Sequence, residues 1–243
     1  MAEREYIEPG KWTIEDIDAL IRQAALIQHA GERIEFLSHA FLGIPYLANT
    51  LESGLAAEET FVINLAGVDC FTFIDYVEAM RLSASFDEFR ENLKGIRYRG
   101  GAVAYERRNH FFTDWIEFNN SVTDATRAIG LDKTKTAGKE LNRKADGTYY
   151  LPGIKPTQRD ISYIPASLLD GNILSRMETG DYIGIYSELD GLDVSHVGIF
   201  IRLSDGLFMR HASSRREIRR VIDQDFAGYV KSRPGIIVLR PKG

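Results

Sequence analysis

One cysteine, seven prolines and no long apolar run set the limits of this 243-residue chain before any motif is considered. A single thiol forms no internal disulfide, so the sequence leaves the redox compartment undetermined. No stretch is apolar enough for long enough to cross a membrane. The opening Met1-Ala2-Glu3-Arg4-Glu5-Tyr6 is charged and lacks the apolar run of a secretory leader. A net charge of −5, with no basic run interleaved with aromatics, argues against nucleic acid as a partner. The sequence also lacks a glycine-rich phosphate loop, a His-Glu-x-x-His pair, an internal repeat and a proline-rich linker. What is there, 44% hydrophobic and 27% charged residues, is a globular composition in a chain long enough to bury a sizeable core.

The lone thiol sits in Gly67-Val68-Asp69-Cys70-Phe71-Thr72-Phe73-Ile74, where irregular sequence gives way to helical periodicity. Cys70, Ile74 and Val77 follow the i, i+4, i+7 spacing of one helical stripe. At a helix N-terminus, unpaired N–H groups and the positive dipole end favour a thiolate, which predicts a lowered thiol pKa. A small buried hydrophobe is the plainer reading of an isolated cysteine. Two histidines shift that balance: His196 in Ser195-His196-Val197-Gly198 and His211 in Arg210-His211-Ala212-Ser213, both in a strand-rich stretch. A cysteine with distant histidines is the pattern of a thiol hydrolase, in which one imidazole moves the thiol proton and a third group fixes its tautomer. Taken singly, each histidine reads more plainly as a core or surface residue of a strand.

With these residues in the order Cys, His, His, the chain resembles the papain-like NlpC superfamily of bacterial cell-wall hydrolases, and within it the N-acetylmuramoyl-L-alanine amidase-like branch. The resemblance rests on Phe41-Leu42-Gly43-Ile44-Pro45-Tyr46, Asp69-Cys70-Phe71-Thr72-Phe73, Ile96-Arg97-Tyr98 and Arg108-Asn109-His110-Phe111. It continues through Gly180-Asp181-Tyr182-Ile183, Gly191-Leu192-Asp193-Val194-Ser195-His196-Val197-Gly198, His211-Ala212-Ser213 and Gly235-Ile236-Ile237-Val238-Leu239-Arg240. It implies Cys70 as nucleophile, His196 as general base and His211 as the third member, with Asp69 and Tyr46 beside the substrate and Arg108 and His110 lining the cleft. It also implies an α+β fold with a papain-like core, a nucleophile-bearing helix packed on an antiparallel sheet. The reaction implied is cysteine-dependent cleavage of the lactyl amide between N-acetylmuramic acid and the stem peptide of peptidoglycan or a muropeptide. No cofactor and no metal are called for.

Other members of the superfamily cut between D-glutamate and the diamino acid, and the triad does not separate the two activities. A zinc amidase acting on the same bond would need a clustered ligand set that these dispersed histidines do not offer. A non-catalytic peptidoglycan-binding module is the reading outside enzymology. The substrate class points to the cell envelope or periplasm, and the leaderless start leaves cytoplasmic action on wall fragments open. Four of the named residues have local readings too. Asp69 fits a helix N-cap, Tyr46 a core aromatic with its hydroxyl satisfied, and Arg108 and His110 a solvated loop.

The chain reads as one domain, 1–243, with a helical extension at 1–44 and a polar insertion at 121–160. A capping hydroxyl at Thr13 opens a helix through Ile14, Ile17, Leu20, Ile21, Ala24 and Ala25, with Gly31 as its end. A second helix runs through Ile34, Phe36, Leu37 and Phe41 into Gly43-Ile44-Pro45. After the Cys70 helix come a short helix at 86–93, a strand and turn at Arg97-Tyr98-Arg99-Gly100-Gly101, and a buried helix at Trp115-Ile116-Glu117-Phe118. The insertion reads either as an ordered excursion over the cleft or as a mobile surface segment. In the last third, Ile183 and Ile185, then Val197, Ile199 and Ile201, alternate with their neighbours as in antiparallel strands. Ser204-Asp205-Gly206 marks a hairpin. A loop at Asp205-Gly206 sets His211 opposite Phe200, four residues or ~13 Å from the position facing His196. Strong twist, a shifted turn or a different orienter is needed to complete a triad.

Overall fold

A computed structural model describes residues 4–51 and 58–243, so the first three residues of the charged opening lie outside the described part. The chain runs β1 (Glu5–Glu8), α1 (Ile14–Ala25), α2 (Ala30–His39), β2 (Phe61–Asn64), α3 (Cys70–Arg81), α4 (Phe86–Arg97), α5 (Asp114–Phe118), β3 (Val122–Asp124), α6 (Thr126–Gly130), β4 (Lys135–Leu141), β5 (Thr157–Pro165), α7 (Gly171–Arg176), β6 (Tyr182–Tyr186), β7 (Val194–Leu203), β8 (Gly206–Ser213), β9 (Arg220–Asp225), α8 (Phe226–Val230) and β10 (Gly235–Pro241). Seven strands lie side by side in the order β4-β5-β10-β6-β7-β8-β9, with β3 added on β10, and every pairing in this sheet is antiparallel. β1 and β2 form a separate parallel pair.

Both faces of the central strands are covered. Tyr182, Tyr186, Val197, Ile199 and Ile201 join one core with Phe73, Ile74 and Val77 of α3. Ile183, Ile185, Phe200 and Met209 point the other way, into a second core with Ile129, Ile173 and Phe226. The period-two alternation in the sequence therefore separates two buried faces, not a buried face from a wet one. α3 packs across β7 and β8. Buried charge pins it there: Glu78 takes Arg81 at 2.7 Å and the Tyr182 hydroxyl at 2.8 Å, and Asp75 takes Arg97 of α4 at 3.0 Å. Removing one partner of such a buried pair costs about 3–5 kcal/mol, so these pairs hold α3 against α4 and the sheet.

Several local readings need correction. α1 opens on a Thr13–Asp16 capping box but ends at Ala25, and Gly31 lies in the first turn of α2. A Cβ on Gly31 would come within 2.0 Å of the Thr179 carbonyl oxygen, so this glycine serves close packing, not termination. α4 extends to Arg97, so of the strand and turn expected at 97–101 the strand reduces to a single bridge from Tyr98 to Arg108, while the turn is a 3-10 turn over Arg99–Gly101. Trp115 is buried as read, whereas Phe118 of the same short helix is exposed. The polar 121–160 stretch is ordered and supplies β3 and β4 to the main sheet. β1 has no signature in the sequence, because its residues Glu5-Tyr6-Ile7-Glu8 are half exposed.

Candidate functional site

Cys70 is the first residue of α3, and Asp69 is its N-cap. Asp69 Oδ1 accepts from the amides of Phe71 at 3.0 Å and Thr72 at 2.7 Å, while the Thr72 hydroxyl accepts from the Asp69 amide at 3.0 Å. The Phe73 amide turns back to the Asp69 carbonyl at 3.1 Å. The capping reading of Asp69 is the one its contacts show, and the cap consumes these first-turn donors without using the Cys70 amide.

The histidine side is built by strand register. Leu203 pairs with Gly206 and Ile199 with Arg210, so the two turn residues are Ser204 and Asp205, one position earlier than the Asp205-Gly206 reading. One step further, His211 meets Gly198 instead of Phe200. A Cβ on Gly198 would lie 2.9 Å from that of His211 and 2.8 Å from the Arg210 carbonyl, so glycine permits this approach. His196 and His211 thereby become diagonal neighbours on one face, within reach of two imidazoles. His196 Nε2 and His211 Nδ1 are 2.7 Å apart, and His211 Nε2 is 3.1 Å from Gln224 Oε1 on β9. The shifted turn supplies the contact that simple hairpin geometry withheld.

This chain has a direction. The Gln224 carbonyl oxygen can only accept, so His211 donates from Nε2 and its Nδ1 accepts. His196 in turn donates from Nε2, which leaves its Nδ1 lone pair free. Gln224 has no signature in the sequence, because it becomes a neighbour of His211 only once the register of β8 against β9 is known.

Cys70 and His196 line one cavity of about 200 Å³ with Phe71, His110, Phe112, Leu151 and Leu192. Its walls are mainly apolar. Asp193 is the carboxylate in the lining, and it is engaged from behind: the Thr113 amide and hydroxyl donate to it at 2.7 and 2.8 Å. Arg159 of β5 holds Thr113 and Asp114 at 2.8 Å each, so the ordered insertion braces the cleft wall. Tyr150 and Leu151 from the same insertion line the cavity.

His110 is in the lining, its Nε2 donating to the Tyr105 carbonyl at 2.8 Å. Arg108 is not. Its guanidinium grips Glu59, which also accepts from Tyr98 at 2.9 Å, so the fork expected to face a substrate carboxylate is engaged inside the protein. Tyr46 is half-buried and bridges Val68, two residues before Cys70. Its hydroxyl makes no hydrogen bond among the described residues.

Burial pushes the Cys70 thiol up to about 12, with the Asp69 carboxylate adding to the rise. The amides of Val197, Cys70 and Phe71 act in the opposite direction and do not prevail. The lowered thiol pKa predicted from the helix end is thus not what the site shows. Burial likewise lowers His196 to about 3, His211 to about 4 and His110 to about 4. At neutral pH the resting site holds a neutral thiol and a neutral imidazole. Among the described residues no group of three or more His, Cys, Asp or Glu is placed to hold a metal ion, and no helix is long and apolar enough to cross a membrane.

The profile of the AmiA-like, N-acetylmuramoyl-L-alanine amidase-like family matches residues 36–236. A crystal structure of an N-acetylmuramoyl-L-alanine amidase from Bacteroides uniformis is 28% identical, with a TM-score of 0.74 over 89% of this chain and 100% of that one. A Legionella pneumophila protein at 23% identity shares the fold, with a TM-score of 0.78 over 94% and 95% of the two chains. A Bacteroides fragilis protein named as a candidate xylanase is 28% identical, with a TM-score of 0.67 over 84% and 98%. Among curated proteins none matches significantly.

Proposed function

The chain belongs to the AmiA-like family of N-acetylmuramoyl-L-alanine amidase-like proteins, and from that premise we propose that it cleaves the lactyl amide of peptidoglycan fragments with Cys70 as nucleophile. The observation that carries the proposal is the directed chain Gln224–His211–His196, which leaves the Nδ1 lone pair of His196 free on a residue that lines the same cavity as Cys70.

In the proposed reaction His196 Nδ1 takes the thiol proton as sulfur bonds to the amide carbonyl carbon. With both groups neutral at rest, proton transfer accompanies attack and no thiolate–imidazolium pair precedes it. The Cys70 amide, left free by the Asp69 cap, donates to the developing oxyanion. His196 then protonates the nitrogen of L-alanine, the C–N bond breaks, and the stem peptide leaves with a muramyl thioester on Cys70. Water, deprotonated by His196, attacks the thioester carbonyl, and the sulfur departs and recovers a proton. Tyr46 and His110 line the substrate in this scheme, and Asp69 acts through the cap.

A nucleophile at the head of a helix packed against an antiparallel sheet that carries both histidines supports placing the chain in the papain-like NlpC superfamily. The lactyl amide as target supports action at the cell envelope, with cytoplasmic action on wall fragments as the alternative, and fractionating the source cells separates the two. Glycoside cleavage fits less well: it needs two carboxylates flanking the bond, and the one in the cavity lining, Asp193, is held by Thr113 and the Val194 amide.

The test is mass spectrometry of a disaccharide-tetrapeptide after incubation with the wild type and Cys70→Ala. Release of free tetrapeptide by the wild type alone is expected. Cleavage within the peptide would reassign the chain to the D-glutamyl endopeptidases, and no cleavage at all would favour a binding module.

A further inference from the structure

Beside Cys70, outside the apolar cavity, stands a group of arginines that the reaction leaves without a task. Tyr229 of α8 lies 5.1 Å from the His211 ring and 6.2 Å from that of His196. Arg233 and Arg215 sit over Tyr229 at 4.9 and 6.0 Å. Next to the cysteine, Arg219 covers Tyr46 at 4.9 Å and donates to its carbonyl at 3.2 Å. Arg219 is held there in a left-handed conformation, φ +48°, with its own carbonyl accepting from the Tyr46 amide at 2.9 Å. A bulky residue adopts such a backbone only where its surroundings impose it.

Elsewhere in the molecule Arg81, Arg97, Arg159, Arg210 and Arg240 each hold a carboxylate, and Arg33, Arg127, Arg176 and Arg202 are taken by backbone carbonyls or side-chain hydroxyls. Among the described residues Arg215, Arg219 and Arg233 hold no carboxylate, and the buried Nε of Arg233 has no acceptor. Asp223, the nearby acid whose charge reaches His211 from the other face of the sheet, is taken by both arms of Arg210 at 2.7 and 2.8 Å. The positive charge is felt at the site, since Arg215 and Arg233 both oppose protonation of His196 and His211.

We infer that Arg215, Arg219 and Arg233 form a carboxylate-binding rim that receives the peptide half of the substrate. The inference rests on the amidase reading for its direction: the leaving nitrogen must lie at His196, whose ring is 6.2 Å from the Tyr229 ring that Arg215 and Arg233 cover, so the peptide half is directed toward these arginines. The acyl half is then left to the largely apolar cavity. A planar guanidinium fork matches a carboxylate in two parallel hydrogen bonds, and a stem peptide carries several carboxylates where a neutral peptide carries one.

Isothermal titration calorimetry tests this with two probes, a free stem tetrapeptide and the same peptide with its carboxylates amidated. The free acid binds the wild type about tenfold or more tightly than the amide, and the difference vanishes in an Arg215→Gln/Arg219→Gln/Arg233→Gln variant. A double variant at 215 and 233 loses part of it without touching the Tyr46 contact. Equal affinities in the wild type, or a preference that survives in the triple variant, would overturn the rim. The ratio of kcat/KM for free-acid and amidated muropeptides separates this from the parent proposal. Discrimination in binding without release of peptide keeps the rim and sinks the amidase, whereas turnover without discrimination does the reverse.

Discussion

The cysteine side of the cleft is assembled from a few consecutive residues, whereas the histidine side draws on three strands. Asp69, Cys70 and Thr72 build a capped helix end from neighbours in sequence. His196, His211 and Gln224 meet because β7, β8 and β9 pair in one particular register. The difference teaches where each half is fragile: the helix end fails by losing a single side chain, and the strand end by losing the direction of its hydrogen bonds.

Mutation sharpens the contrast, starting with the nucleophile. Cys70→Ala is expected to lower kcat/KM a thousandfold or more in a muropeptide assay. His196→Ala follows at about a hundredfold to ten-thousandfold, the usual worth of a general acid–base. Gln224→Leu leaves the His211 Nε2–H without its acceptor and allows the other tautomer, at a cost of about tenfold in kcat/KM. Gln224→Glu restores an acceptor and most of the activity. Equal losses in both Gln224 variants would break the claim that hydrogen-bond direction matters on the strand side.

The two sides also differ in how pH reports on them. His196 must be neutral to act, and burial holds it at about 3. Activity therefore persists as pH falls through 6.5 and is lost only near 3, so the acid limb of kcat/KM lies well under the ordinary histidine range. Cys70, raised to about 12, should alkylate with iodoacetamide at a rate that climbs about tenfold per pH unit between 7 and 9. A plateau across that range would show a preformed thiolate and contradict the neutral resting pair.

Asp69→Ala carries the smallest effect, about 1 kcal/mol of cap stability. At ~2–4 °C per kcal/mol for a domain of this size, calorimetry should show a fall of that order in the melting midpoint.

The same division explains what the sequence disclosed. The helix start, its cap and its apolar stripe depend on residues within one or two turns, so Asp69, Cys70, Ile74 and Val77 could be read directly. Strands β6 and β7 are legible from alternation, and β8 from the hairpin signal that precedes it. Their register is not, since moving the turn from Asp205-Gly206 to Ser204-Asp205 shifts the partner of His211 by two residues. Gln224 depends on a second register and Arg108 on a distant Glu59, which no local pattern encodes. The thiol pKa departs from the helix-end expectation for a related reason. The helix end acts locally, whereas burial by β7 and the cleft walls is a property of the folded chain that no local pattern carries.

The most direct measurement is intact-protein mass spectrometry of the wild type, quenched in acid within milliseconds of mixing with a disaccharide-tetrapeptide. A thioester on Cys70 with the mass of the disaccharide acyl group alone is the predicted result, absent in Cys70→Ala. An adduct that also contains L-alanine and D-glutamate, or peptide release with no adduct at any time, would contradict it.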